Sequence, residues 1–235
     1  MQERSERTRA RLVGAAAELF DRYGYAGASL GDISRVAGVT KGALYFHFAS
    51  KQELAAAVQE SGCLLLDETV LALAGRPALQ ALIDTTHALA VWASGEPVVR
   101  ASFRLGRERA DGERPVVNYH LVCVAAAGRL LARAAEEGAL RCGVAEDAAR
   151  TLVAGMIAGI EAAAWSGAPY PELSAALDEA WTLVLRAVAE EGAARGLRTA
   201  PPAGAGRRPG DPADQGSRAA TDSTVSASAG SLSSR

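Results

Sequence analysis

From Ser29 to Leu54 the chain reads Ser-Leu-Gly-Asp-Ile-Ser-Arg-Val-Ala-Gly-Val-Thr-Lys-Gly-Ala-Leu-Tyr-Phe-His-Phe-Ala-Ser-Lys-Gln-Glu-Leu, and its polar side chains suit contact with a polyanion. Lys41 can donate to guanine O6 and N7. Ala43 offers a methyl to a thymine methyl, or leaves room for base edges. Thr40, Tyr45, His47 and Lys51 can donate to phosphate oxygens. Gly42 lets backbone approach a strand closely. With Ser29 at the opening, these residues form the candidate nucleic-acid interface.

The elements that must hold them are legible in the same segment. Ser29 can cap a helix, with Asp32 at the third position of a capping-box-like pattern. Ile33, Val36 and Ala37 recur at helical spacing and face inward. Gly38 tolerates the positive φ of a tight inter-helix turn, Val39 anchors that turn, and Thr40 can cap a second, very short helix. The two helices fall at 30–37 and 41–47, with Phe46 and Phe48 assigned to the core. Upstream, Leu12, Ala16, Leu19, Phe20 and Tyr23 define an amphipathic helix over 5–23 that Gly24 closes. Arg7, Arg9 and Arg11 on it are either solvated face residues or an arm along the phosphate backbone or a minor groove. A short helix with small and polar outward residues is what a major groove accepts.

Charge is distributed to match. The 235 residues carry 25 Lys and Arg against 27 Asp and Glu, a formal net charge of −2, so the surface as a whole is not basic. Residues 1–51 hold 8 basic and 5 acidic side chains, leaving 17 and 22 for the rest. The N-terminal end is the one built to meet a polyanion.

Other classes fall away. No charge-free apolar run of ~18 residues suggests a membrane span, and the charged N-terminus has no apolar stretch of a secretory signal, so a cytoplasmic protein without membrane association is expected. Cys63, Cys123 and Cys142 match neither a disulfide framework nor a zinc site and read as small buried hydrophobes. There is no Gly-rich phosphate loop after a strand, no paired metal-ligand spacing and no serine elbow. Cys123 near His120 is the one arrangement resembling an activated nucleophile, on what reads as an apolar helix. Neither an enzyme nor a cofactor or metal is expected.

The remaining chain is punctuated helix. Leu54, Val58, Leu65, Thr69 and Leu73 line one side of a helix from about 50; further helices follow at 78–93, 97–109, 116–137, 146–165 and 172–191. Strand signals are nearly absent, and the fold class is all-α. The domains are 1–50, 51–197 and a Pro-, Gly-, Ser- and Ala-rich disordered tail over 198–235, which cannot bury enough apolar surface to offset ~1–2 kcal/mol of ordering per residue. In the second domain Trp92, Phe103, Leu121, Cys123, Met156, Ile160 and Trp165 are candidates to line an apolar pocket. Thr86, His87, Asn118, Tyr119 and His120 could add its hydrogen bonds, although most of these residues could equally be plain core. Ala154, Gly155, Ala158, Gly159 and Ala162 form a small-residue stripe that is either intrachain core or a helix–helix interface between two copies.

The segment closely resembles the DNA-binding domain of the TetR family. The family pattern Tyr-x-His-Phe-x-x-Lys-x-x-Leu stands here as Tyr45-Phe46-His47-Phe48-Ala49-Ser50-Lys51-Gln52-Glu53-Leu54, and Ala37-Gly38-Val39-Thr40-Lys41-Gly42 matches the family turn. The opening Ala15-Ala16-Ala17-Glu18-Leu19-Phe20-Asp21-Arg22-Tyr23-Gly24-Tyr25 is similar to the family's first helix, so the likeness covers residues 7–55. It implies an N-terminal three-helix helix-turn-helix domain, a C-terminal helical ligand-binding and dimerisation domain, and a homodimeric repressor on a palindromic double-stranded DNA operator, released by a small-molecule effector.

Within that family the chain is similar to the actinomycete γ-butyrolactone receptors. Gly38-Val39-Thr40-Lys41-Gly42-Ala43-Leu44-Tyr45-Phe46-His47-Phe48, Pro97-Val98-Val99-Arg100-Ala101-Ser102-Phe103-Arg104-Leu105 and the stretch from Arg129-Leu130-Leu131 to Gly138-Ala139-Leu140-Arg141 carry this second likeness. Those receptors commonly place a ligand-contacting Trp where this chain has Val122 or Cys123. The departure leaves open a pocket that is vestigial or answers to an antibiotic or its precursor.

Overall fold

A computed structural model of the chain describes residues 2–108 and 117–202. The loop around Pro115 and the tail beyond Pro202 lie outside the described residues. Ten helices are described: α1 (Gln2–Gly27), α2 (Leu30–Val36), α3 (Lys41–His47), α4 (Lys51–Ala72), α5 (Ala78–Gly95), α6 (Pro97–Arg107), α7 (Tyr119–Glu136), α8 (Glu146–Ser166), α9 (Tyr170–Val188) and α10 (Glu191–Ala194). No strand occurs among the described residues; an isolated bridge joins Leu140 to Ala189. The all-α expectation holds.

Local chemistry sets the helix boundaries. Ser29, Thr40 and Ser50 each accept a hydrogen bond from the backbone N–H three residues on, which starts α2, α3 and α4. Glu53 reaches back past the cap and accepts from the Ala49 N–H at 2.7 Å. The first helix runs further than its pattern suggests. Gly24 (φ 73°) kinks it instead of ending it, and helix continues to Gly27.

Two cores form. The N-terminal one gathers Leu12, Ala16, Phe20, Ile33, Leu44, Phe48, Leu54 and Val58, and it also takes Ala101 and Leu105 from α6. The larger one is built mainly from α5, α7, α8 and α9, with Phe103 added from α6 and Trp92 and Trp181 among its buried rings. α4 enters both cores, Leu54 and Val58 in the first and Leu65 and Leu66 in the second. It therefore couples the two units mechanically. α6 is the second link, packed along α1 on one side and against α4 and α7 on the others.

Several sequence expectations need correction. Phe46 lies 79% exposed, because residues 44 and 48 take the inward positions on the short α3 and turn their neighbour outward. Cys142 is exposed and Cys63 only half-buried, so burial applies in full to Cys123 alone of the three. Residues 198 and 199 are held to α5. The Gln80 side chain accepts from the Arg198 N–H at 2.8 Å and donates to its carbonyl at 3.1 Å, while the Arg198 guanidinium meets the buried Asp84 carboxylate at 2.9 Å. His87 Nε2 lies 2.7 Å from the Thr199 carbonyl.

Candidate nucleic-acid interface

The short α3 presents its polar face to solvent. Lys41, Gly42, Tyr45 and Phe46 are exposed, and Leu44 and Phe48 anchor the helix from below. Lys41 and Tyr45 lie four residues apart and so share one face. Gly42 and Phe46 repeat the spacing one step round. A methyl added at Gly42 would meet only Thr40 Oγ1, at 3.9 Å, which leaves the approach to the backbone open. Ala43 and His47 are half-buried at the edge of this face.

Ser29 and Thr40 act first as caps. Thr40 Oγ1 accepts from the Ala43 N–H at 3.1 Å. Ser29 Oγ accepts from the Asp32 N–H at 3.1 Å and donates to the Asp32 carboxylate at 2.6 Å. That hydroxyl, with the Arg35 guanidinium behind it, holds the Asp32 carboxyl below its ordinary value. The pair fixes the start of α2 and hence the angle at which α3 is offered.

Lys51 is placed differently from a free phosphate donor. Its ammonium sits 3.4 Å from the Ala26 carbonyl and 4.5 Å from the centre of the Tyr25 ring. Burial against α1 lowers its pKa, and the Glu108 carboxylate partly opposes that shift. In this arrangement Lys51 ties the start of α4 to the end of α1.

Arg9 and Arg11 also turn inward from the anticipated arm. Arg11 Nη2 donates to the Ala37 carbonyl at 2.6 Å, across the turn between α2 and α3. Gly38 in that turn has φ 63°, as expected, and a methyl there would come within 2.8 Å of Arg11 Nη2. Arg9 covers the Phe48 ring at 5.3 Å and pairs loosely with Glu60. These are positioning residues. Their residue type was visible in the sequence, but the carbonyl 26 positions away was not.

The anticipated pocket residues disperse. Trp92, Cys123 and Ile160 are buried within the larger core, and Met156 packs partly buried against it. Burial pushes the Cys123 thiol well up, and His120 is engaged by Glu161, so the cysteine is no activated nucleophile. Leu121 is 60% exposed: Tyr119 and Cys123 take the inward face of α7, and the residue midway between them points to solvent. Phe103 and Trp165 do line a common cavity of about 260 Å³, between α6 and α8 and bounded on the α1 side by Asp21.

Arginines one helical face apart frame this cavity. Arg100 grips the Asp21 carboxylate at 2.8 Å. Arg104 donates to the Asp21 backbone carbonyl at 2.7 Å and to Glu108 at 2.7 Å, and Glu108 in turn accepts from the Tyr25 N–H at 2.5 Å. Arg107 pairs with the buried Glu161 at 2.6 Å, and the other oxygen of Glu161 lies 3.1 Å from His120 Nδ1. Positions 100, 104 and 107 advertise a shared face in the sequence. Their partners on α1 and α8 did not.

The small-residue stripe faces out. Gly155, Ala158, Gly159 and Ala162 on α8 are exposed, Ala154 is half-buried, and a methyl added at Gly155 or Gly159 would meet nothing within 4 Å. No described helix is long and apolar enough to cross a membrane.

Known proteins align with these features. The model of bacterial regulatory proteins of the tetR family matches residues 12–58, which span the kinked α1, the caps, the turn and α3. The A-factor receptor protein of Streptomyces griseus is 30% identical over 193 residues, 81% of this chain and 67% of the receptor. A solved structure of a γ-butyrolactone receptor, an ArpA-like protein, is 30% identical, with a TM-score of 0.65 over 82% of this chain and 93% of that one. CprB of Streptomyces coelicolor, a TetR family protein solved with its biological operator sequence, is 33% identical, with a TM-score of 0.67 over 82% of this chain and 94% of its own.

Proposed function

Because the chain belongs to the tetR family of bacterial regulatory proteins, and its relatives along most of its length include γ-butyrolactone receptors, we propose that it is a homodimeric repressor that a γ-butyrolactone-type molecule releases from a palindromic operator. DNA binding and transcriptional regulation are the family's property; repression, dimerisation and the effector are our reading. The observation that carries it is the α3 face, where Lys41 and Tyr45 stand exposed above a helix start fixed by Thr40.

On this reading Lys41 reads a base edge, Tyr45 and Thr40 hold phosphates, and Gly42 and Ala43 let the helix settle into the major groove. One seven-residue helix offers too few contacts for specificity. Two copies ~34 Å apart read successive major grooves of a palindrome. The exposed Gly155, Ala158, Gly159 and Ala162 let α8 approach its counterpart closely, with α9 alongside, in a four-helix bundle. An effector that prefers one tilt of α4 changes the separation of the two recognition helices, to the extent of its differential affinity for the two states.

A second reading keeps the DNA-binding regulator and changes its signal to an antibiotic or its precursor, or leaves the pocket vestigial. It is favoured by the residues at the Trp position of the relatives: Val122 packs partly buried against the larger core and Cys123 lies within it, so no large ring projects there. A gel shift on the DNA upstream of the protein's own gene, with and without a γ-butyrolactone, separates the two. Loss of the shift with the lactone supports the first reading. A shift that survives the lactone overturns it in favour of the second, and absence of any shift on that DNA places the operator elsewhere.

A further inference from the structure

The cavity between α6, α8 and the end of α1 has features that plain packing does not require. Its floor is the buried Phe103 ring, and one wall is the Trp165 indole, 48% exposed, flanked by the Arg104 and Arg107 guanidinium groups at 5.4 and 5.8 Å from its centre. Glu161, only 2% exposed, lines it from α8. Its Oε1 is ion-paired to Arg107 at 2.6 Å and takes no further hydrogen bond among the described residues. A carboxylate oxygen has two acceptor sites, and the one beyond Arg107 can take a donor brought from outside.

The other charges of the wall limit what that donor can belong to. Arg100 is committed to Asp21 and to the Ser94 carbonyl, and Arg104 to Glu108 and the Asp21 carbonyl. An anion entering here would have to break one of these pairs and would face two carboxylates. A cation would face the arginines. A neutral molecule gains the Glu161 oxygen and the two rings without disturbing any pair. At about 260 Å³ the space falls just below the ~300 Å³ at which drug-sized sites begin, so the molecule is compact.

We propose that this cavity binds a compact neutral ligand carrying a hydroxyl or N–H donor beside an apolar ring, and that α1 registers its occupancy through Asp21. The site shares Phe103 with the larger core and touches the DNA-reading unit directly through Asp21. The donor meets Glu161 Oε1, and the ring lies between Phe103 and Trp165. Loading adds a donor beside the intact Glu161–Arg107 pair and shifts α6, which carries Phe103 and Arg107. The Arg100 and Arg104 contacts with Asp21 pass the shift to α1, whose Arg11 holds the turn before α3. The regulatory part rests on the reading of the protein as a ligand-released regulator; the binding part does not.

The test is saturation-transfer NMR on the full chain with 2-phenylethanol, which is neutral and carries a hydroxyl, against ethylbenzene, which has no donor, and phenylacetate, which is an anion. 2-Phenylethanol is expected to bind saturably, with ethylbenzene weaker by about tenfold or more, the loss of one hydrogen bond to a charged acceptor, and phenylacetate weaker still because its carboxylate faces Asp21 and Glu161. Ala164→Phe, which fills the cavity, and Trp165→Ala, at an exposed position, should each abolish that binding. No binding of 2-phenylethanol, equal binding of all three compounds, or binding that survives either variant overturns the site. In gel shifts, a γ-butyrolactone that releases Ala164→Phe as readily as the parent overturns this cavity as the site of release and leaves the repressor reading standing. Binding as expected in a protein that no γ-butyrolactone releases overturns the repressor's proposed signal and not the site.

Discussion

Arg11 on α1 donates to the Ala37 carbonyl at 2.6 Å, so the first helix holds the turn that sets α3 relative to α2. The contact joins two elements already packed through Ile33 and Phe20, and it fixes orientation where apolar packing alone permits sliding. Arg11→Ala is expected to lower stability by about 1 kcal/mol, the usual net contribution of a hydrogen bond, because solvent screens the charge of this exposed side chain. Operator affinity should fall with it, by a similar factor on every operator sequence. Thermal denaturation and binding to a panel of operator variants measure the two effects. A change in sequence preference without a change in stability would assign Arg11 to the DNA instead.

Gly38→Ala tests the same turn from its other side. The substitution forces a side chain onto φ 63° and sets a methyl 2.8 Å from Arg11 Nη2. A loss of about 1–2 kcal/mol is expected from the left-handed conformation alone. Partial recovery in the Gly38→Ala, Arg11→Ala double variant would separate the steric contribution from the backbone one.

Lys41→Ala and Tyr45→Phe should differ in kind. Removing the base-edge donor is expected to cost ~1–3 kcal/mol and to relax preference at one operator position. Removing a phosphate donor should weaken binding evenly across sequences. Binding to single-base operator variants reads the contrast, and unchanged preference in Lys41→Ala would remove that residue from base reading.

Gly155→Arg addresses the proposed bundle. The position is exposed and open within the chain, so the fold and its helix content should persist. A charge on a close helix–helix face should shift the protein to monomer in sedimentation equilibrium and sharply reduce operator affinity. A variant that sediments as the parent does would place the interface elsewhere.

His87 predicts an acid-sensitive regulatory domain. Its ring is fully buried, with Nε2 at the Thr199 carbonyl and Nδ1 without a hydrogen bond among the described residues, and Asp84, Asp178 and Arg198 supply the nearby charges. Burial, the largest influence, lowers its pKa below the ordinary 6.5, while the Thr199 carbonyl and the two carboxylates partly oppose it. The unfolded chain therefore takes up the proton first as pH falls. The stability associated with the neutral ring is complete above about pH 6.5 and is lost progressively below it, until the folded-state pKa is passed. Denaturation midpoints measured from pH 7.5 to about pH 5 should fall, and His87→Gln should flatten that slope. An equal slope in the variant would assign the acid sensitivity to another group.

The DNA-reading unit was legible in the sequence because its determinants are local. Ser29, Thr40 and Ser50 cap helices that begin one residue later, through bonds spanning three residues, and Gly38 supplies the turn from its own backbone freedom. The apolar period likewise identified Leu12, Ala16, Phe20, Ile33, Leu54 and Val58 as inward, and these are buried. Tyr23 and Val36, placed inward by the same period, lie near the ends of α1 and α2 and are 50% and 44% exposed. Such signals act within one or two helical turns, where spacing and side-chain type suffice.

Tertiary structure alone decided what the longer-range polar groups do. Arg11 reads as a surface cation until Ala37, 26 residues on, is brought beneath it. His87 became a fully buried ring because Thr199, 112 residues away, folds back over α5. Phe46 and Leu121 are apolar by type and face solvent, since the faces of α3 and α7 were taken by their neighbours. Helical period states that a face exists, whereas which neighbour covers it depends on how the elements pack. The cavity beside Asp21 and Glu161 is of this second kind: its residues come from three helices and meet only when the chain is folded.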